Sequence, residues 1–150
     1  MVDIYVDGDA CPVKKEVLRV AQRHRLTVHL VSNSALAGTT DPLVHRVMVD
    51  AGADAADDWI AAHICGSDVA VTGDIALAAR CLQKGARALA PTGKPFTDDS
   101  IGMALAMRDL NAQLRDSGML RGGGSGFTAK DRSRFLQALE NTVQALQRAR

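Results

Sequence analysis

The residues best equipped for chemistry lie in Ile4-Tyr5-Val6-Asp7-Gly8-Asp9-Ala10-Cys11-Pro12. A hydrophobic run ends in two carboxylates with one glycine between them, and a helix start follows at once. Carboxylates this close repel each other unless a cation or a shared proton intervenes. Hard divalent ions such as Mg²⁺ or Mn²⁺ are the usual partners of such oxygens. The plainer role for the pair is that Asp7 ends a strand and Asp9 caps the next helix.

Two further acid groups stand at comparable places. Asp54-Ala55-Ala56-Asp57-Asp58-Trp59-Ile60 opens a helix, and Thr72-Gly73-Asp74 follows a buried strand. Asp54 and Asp57 have the spacing of an N-cap and a capping-box mimic. Capping leaves Asp58 unexplained and accounts for Asp74 equally well. The alternative to capping is convergence. In a parallel sheet the carboxyl ends of the strands face one crevice, and several acids gathered there are destabilising without a metal. Such a site suits phosphoryl chemistry, in which one or two metal ions polarise a phosphate and activate a water. Asp7, Asp9, Asp57, Asp58 and Asp74 are the candidate metal ligands, with Asp7, Asp57, Asp58 and Asp74 as the catalytic set. Lys14 and Lys15, on the first turn of the helix beyond Asp9, are candidates for holding a phosphate, although charged helix faces are commonly just solvated. Ser32, Asn33 and Thr72, at strand ends, complete the candidate substrate contacts.

The elements that must position these residues alternate. Strands are expected at Val2–Val6, Leu26–Val31, His45–Val49, Asp68–Thr72 and Ala86–Ala90. Helices are expected from Pro12 to His24, Gly52 to Cys65, Ile75 to Gln83, Asp99 to Arg115 and Lys130 to Arg148. Alternation of this kind predicts a three-layer α/β/α domain with a mostly parallel sheet over residues 1–150, followed by C-terminal helices. Residues 117–126, with Gly122-Gly123-Gly124-Ser125-Gly126, read as a flexible Gly-rich loop, and 127–150 as a C-terminal helix.

Composition bounds the function. The chain has 150 residues, enough for one domain with a real core. Its 18 basic and 17 acidic residues give +1, so net charge selects no partner. Aromatics are 3%, which leaves little for base-stacking platforms. Cys11, Cys65 and Cys81 have neither the number nor the spacing of a disulfide framework or a zinc site. The histidines 24, 29, 45 and 63 share no ligand spacing and read as ordinary surface or strand positions. With no signal-like opening and no membrane-length apolar run, a cytoplasmic location is expected and a membrane partner is not.

The chain resembles the uncharacterised bacterial YaiI/YqxD family. The matching residues are Val6-Asp7-Gly8-Asp9-Ala10-Cys11-Pro12-Val13, Asp54-Ala55-Ala56-Asp57-Asp58-x-Ile60, Val71-Thr72-Gly73-Asp74-Ile75-Ala76-Leu77-Ala78, Lys84-Gly85-Ala86, the Arg115-to-Gly118 turn and Asp131-Arg132-x-x-Phe135. That family is similar to the PIN-like nucleases, metal-dependent ribonucleases. The resemblance implies a PIN-like fold with Asp7 as the acid after the first strand, Asp57 or Asp58 as the helix acid and Asp74 as the late acid. It also implies Mg²⁺ or Mn²⁺ as cofactor, single-stranded or structured RNA as partner, and hydrolysis by activated water. Gly124-Ser125-Gly126 departs from the Gly-Pro pair expected there.

Two other readings compete. Asp7-Gly8-Asp9 and Val31-Ser32-Asn33 imitate a haloacid-dehalogenase-like phosphatase, whose first Asp is a nucleophile. That family also needs a lysine between Asn33 and Asp74, where this chain has none, and a further acid where Ala78 stands. Alternatively, Lys14, Lys15, Arg19, Arg23, Arg108, Arg115, Arg121 and Arg132 would give a non-catalytic nucleic-acid-binding module a phosphate-binding face. The bland account pairs those arginines with Asp109, Asp116 and Asp131. Cys11, at a helix start, could be reactive. The nearby acids oppose a thiolate, and a small, partly buried turn residue is the expectation.

Overall fold

The computed structural model of the chain describes residues 2–8, 11–32, 42–50, 55–103, 105–107 and 128–148. Asp9, Asn33, Asp54, Arg108, Asp109, Arg115, Asp116, Arg121 and the Gly-rich segment 117–126 lie outside the described residues. In chain order the elements are β1 (Asp3–Asp7), α1 (Lys14–His24), β2 (Thr27–Ser32), β3 (Val44–Met48), α2 (Ala55–His63), β4 (Val69–Val71), α3 (Ile75–Gln83), β5 (Arg87–Leu89) and α4 (Ala129–Arg148). Residues 98–103 and 105–107 are also helical.

The five strands form one all-parallel sheet in the order β3-β2-β1-β4-β5. Side-chain alternation divides the core between its faces. Ile4, Val6, Val28, Leu30, Val69, Val71 and Leu89 point to one side and meet Val13, Val17 and Val20 of the α1 region and Phe135, Leu139 and Val143 of α4. Tyr5, Val31 and Ala70 point to the other and meet Ile60 and Ala61 of α2 and Leu77 and Cys81 of α3. The result is the expected three-layer α/β/α arrangement. Each fully buried aliphatic or phenyl side chain in these layers contributes roughly 1.5–3 kcal/mol.

Strand limits differ from expectation by one residue at each end. The Asp68 carboxylate takes the backbone N–H groups of Asp3 at 3.1 Å and Cys65 at 2.9 Å, so Asp68 serves as a tie between strands and β4 begins after it. Burial pushes the Asp68 carboxyl above its usual range, against the pull of those two bonds. Of the histidines, His29 and His45 hold strand positions. Tyr5, His29 and His45 share one rung of the sheet. Their rings lie 4.4 and 5.5 Å apart in sequence along it, Trp59 tilts over Tyr5 and His29, and His63 stacks on Trp59 at 3.9 Å. Parallel register assembles this cluster from residues far apart in the chain.

The last helix closes the α1 face. Thr128 and Asp131 exchange backbone and side-chain bonds at 3.0 and 3.1 Å, a capping box on α4. These bonds hold the exposed Asp131 carboxyl below its usual range. Farther along, Glu140 is buried and receives Arg23 at 2.8 Å, His24 at 2.5 Å and Gln144 at 2.8 Å. Among the described residues Arg23 pairs with Glu140, while Arg132 pairs with Glu16 at 3.5 Å; the expected partners Asp109 and Asp116 lie outside the described residues.

Candidate functional site

The chain winds outward from β1 through β2 to β3, then returns to lay β4 on the other side of β1. That reversal makes the carboxyl ends of β1 and β4 the switch point, where open α/β sheets form their binding crevice. Asp7 is the last residue of β1, and Thr72-Gly73-Asp74 leaves β4 beside it. The buried Thr72 joins them: its hydroxyl donates to Asp7 Oδ2 at 3.4 Å and accepts the Asp74 N–H at 3.0 Å. Thr72 thus links the two acids and is not an open substrate contact.

Asp74 has a structural task as well. It is the N-cap of α3 in extended conformation, and its Oδ1 accepts the N–H groups of Ala76 at 2.8 Å and Leu77 at 3.2 Å. Both capping bonds fall on Oδ1 and neither uses Oδ2. Asp57 and Asp58 occupy the first turn of α2. Asp58 is turned toward α3, where its Oδ1 meets Arg80 at 2.8 Å, and that bond pushes Arg80 above its ordinary pKa. Both partners are largely exposed, and surface pairs of this kind are worth about 0–1 kcal/mol. The half-buried Asp57 lies near enough to the same helix to act on Arg80 and Cys81 electrostatically. Among the described residues, no three carboxylate, histidine or cysteine groups stand together as a metal cluster. The acids joined at the switch point are Asp7 and Asp74, while Asp58 pairs with Arg80 of α3 and Asp57 lies within electrostatic reach of that helix.

Around Asp7 the segment leading into α1 supplies the remaining groups. The Cys11 thiol is pushed up to about 11, first by burial, with Asp7 and Glu16 adding to the rise and the Val13 backbone and Lys14 opposing it. It is therefore a protonated turn residue at neutral pH. Lys14 is half-buried near it and Lys15 is exposed. Ser32 ends β2 completely buried, its carbonyl accepting the Val49 N–H at 2.9 Å, so its hydroxyl is not on the open surface. A cavity of about 510 Å³ opens along β5, lined by Leu82, Arg87, Phe96 and Thr142 among others, and holds none of the candidate acids.

Sequence reasoning left the partner of Arg132 unrecognised. Its Nη1 donates to the Pro12 carbonyl at 2.7 Å across 120 residues of chain and also faces Glu16. The segment Asp131-Arg132-x-x-Phe135 stood out, but nothing local says what such an arginine reaches.

Fold and site together define a doubly wound parallel α/β protein with paired acids at its switch point. The chain belongs to the family described as "Uncharacterized BCR, YaiI/YqxD family", whose model matches residues 5–145. Among its relatives, the UPF0178 protein of Parvibaculum lavamentivorans is 61% identical over 148 residues, covering 99% of this chain and 97% of the relative. The UPF0178 protein of Rhodospirillum rubrum is 56% identical, covering 99% and 100%. That of Rhodopseudomonas palustris strain HaA2 is 52% identical, covering 98% and 90%. No solved structure matches the chain.

Proposed function

We propose that the chain is a metal-dependent nuclease of PIN-like type that hydrolyses phosphodiester bonds in RNA. The observation that supports this most is the pairing of Asp7 and Asp74 through Thr72 at the switch point of the sheet. Carboxylate oxygens there suit Mg²⁺ or Mn²⁺, and two acids alone make a weak site. In this reading Asp7, Asp9 and the Oδ2 of Asp74, which the cap does not use, would hold the ion, and Asp57, or Asp58 released from Arg80, would complete the set. A bound ion would polarise the phosphate and lower the pKa of a water. Asp7 accepts no covalent bond in this scheme. Lys14 offsets charge on the substrate phosphate, and Thr72 fixes the spacing of the two acids.

The test is cleavage of single-stranded RNA by the full chain with Mn²⁺ or Mg²⁺. Activity that is lost on chelation and in Asp7→Asn is the expected result. Asp7→Asn should leave the melting temperature of the metal-free protein unchanged or higher, because it removes repulsion at the site. A phosphorylated Asp7, found by mass spectrometry after incubation with p-nitrophenyl phosphate, would mean a phosphatase nucleophile instead. RNA binding without turnover would mean a binding module.

A further inference from the structure

The segment from β1 to α1 carries Asp7 at one end, and its local tie at the helix entry is the Val13 backbone on the Cys11 thiol, not an N-cap side chain. Val13 stands at the N-cap of α1 and makes no side-chain capping bond. Helix starts normally obtain their geometry from such a bond. Here a tertiary contact stands in its place. The N-terminal turn of α4 is itself held firmly: the Thr128–Asp131 box caps it, Phe135 is completely buried, and Gly93 packs directly on the backbone at Arg134 and Phe135. From that platform Arg132 reaches the Pro12 carbonyl and the Glu16 carboxylate. Glu16 sits on the first turn of α1, and its Oε2 is buried without a hydrogen-bond partner among the described residues. One guanidinium thus ties down both the last loop carbonyl and the first helical acid.

We infer that Arg132 is a positioning residue that holds the Cys11–Val13 entry into α1, within electrostatic reach of the candidate acid Asp7, in working geometry. As a statement about catalysis this rests on the nuclease reading above. As a statement about the loop it rests on the contacts alone. It predicts that the C-terminal helix is part of the site's support although it contributes no ligand.

Cys11 is the reporter, since it is half-buried in this loop and packs against the core. The full chain carries Cys65→Ser to remove the exposed thiol, leaving Cys11 and the buried Cys81. Alkylation by iodoacetamide is followed site by site by mass spectrometry at one mildly alkaline pH. Arg132→Ala should speed labelling of Cys11 by about tenfold or more, as expected for a local opening, with Cys81 unchanged. Arg132→Lys, which keeps a donor and the charge, should restore much of the protection. If the alanine variant does not fold, Arg132→Met, of similar length without a donor, takes its place. Unchanged Cys11 labelling, or equal acceleration at Cys81, would overturn the inference, the second by showing a general loss of stability. In a second arm, Mn²⁺ affinity should fall about 10–100-fold in Arg132→Ala, the range for lost outer support of metal ligands. Wild-type protein that neither binds Mn²⁺ nor cleaves RNA would end the nuclease reading, while the Cys11 arm would still decide the role of Arg132 in the loop.

Discussion

Asp74 is the residue at which a structural and a chemical role can be separated by one atom. Its Oδ1 caps α3, and asparagine caps a helix as well as aspartate does. Asparagine is neutral, however, and a poor substitute for a carboxylate on a divalent ion. Asp74→Ala should therefore cost about 1 kcal/mol of stability through the lost cap. Asp74→Asn should keep that stability and lose Mn²⁺ binding. Calorimetric titration with Mn²⁺ beside thermal melting of both variants checks this. Full Mn²⁺ affinity in Asp74→Asn would leave the residue as a cap alone. Thr72 belongs to the same argument, because its hydroxyl couples the cap of one element to the terminal acid of another.

At the scale of elements, the seat of α4 depends on a glycine. Gly93 has φ +91, and a Cβ there would lie 2.8 Å from the carbonyl carbon and oxygen of Arg134 and 2.9 Å from the Phe135 nitrogen. Those are backbone atoms of a helix and cannot turn aside. Gly93→Ala should cost about 2–5 kcal/mol, combining left-handed strain with overpacking. Gly85 is the control. Its φ is +82, but a Cβ would meet nothing nearer than 3.7 Å, so only the strain applies, about 1–2 kcal/mol. Urea midpoints of the two variants should fall in that order. Equal losses would mean that the close approach of Gly93 to α4 is unimportant. Displacement of α4 by Gly93→Ala should also raise Cys11 labelling, because Arg132 travels with that helix.

For the whole molecule, the α1 and α4 layer is joined by a buried acid, which makes stability depend on pH. Burial pushes the Glu140 carboxyl up, but the bonds from Gln144, His24 and Arg23 outweigh it and hold it below its usual range. A carboxyl whose folded value is depressed contributes fully above its unfolded value, and the contribution is lost as pH falls through the folded one. Glu140→Gln should therefore destabilise the protein by about 1–3 kcal/mol at neutral pH, leaving its partners poorly satisfied. The difference from wild type should shrink in acid, as Glu140 is protonated. Denaturant unfolding at several pH values measures it, and a difference that stays constant into acid would contradict this account. No helix among the described residues is long and apolar enough to cross a membrane.

Much of the architecture was determined by the sequence itself, because its signals are local. Short apolar runs, Asp74 before Ile75 and the apolar face of α1 act within a few residues. They specify where elements start and which face is buried, and hence a layered parallel sheet. The adjacency of Asp7 and Asp74 was legible as far as both follow strands. What tertiary structure decided was which strands are neighbours and which side chains meet. Strand order places β4 beside β1 and so joins two acids 67 positions apart in the chain. The same packing turns Asp58 to Arg80, gathers Tyr5, His29 and His45 on one rung and carries Arg132 to Pro12. Such contacts arise from the fold's closure of long loops, for which hydrophobic burial supplies the free energy and single residues leave no periodic trace.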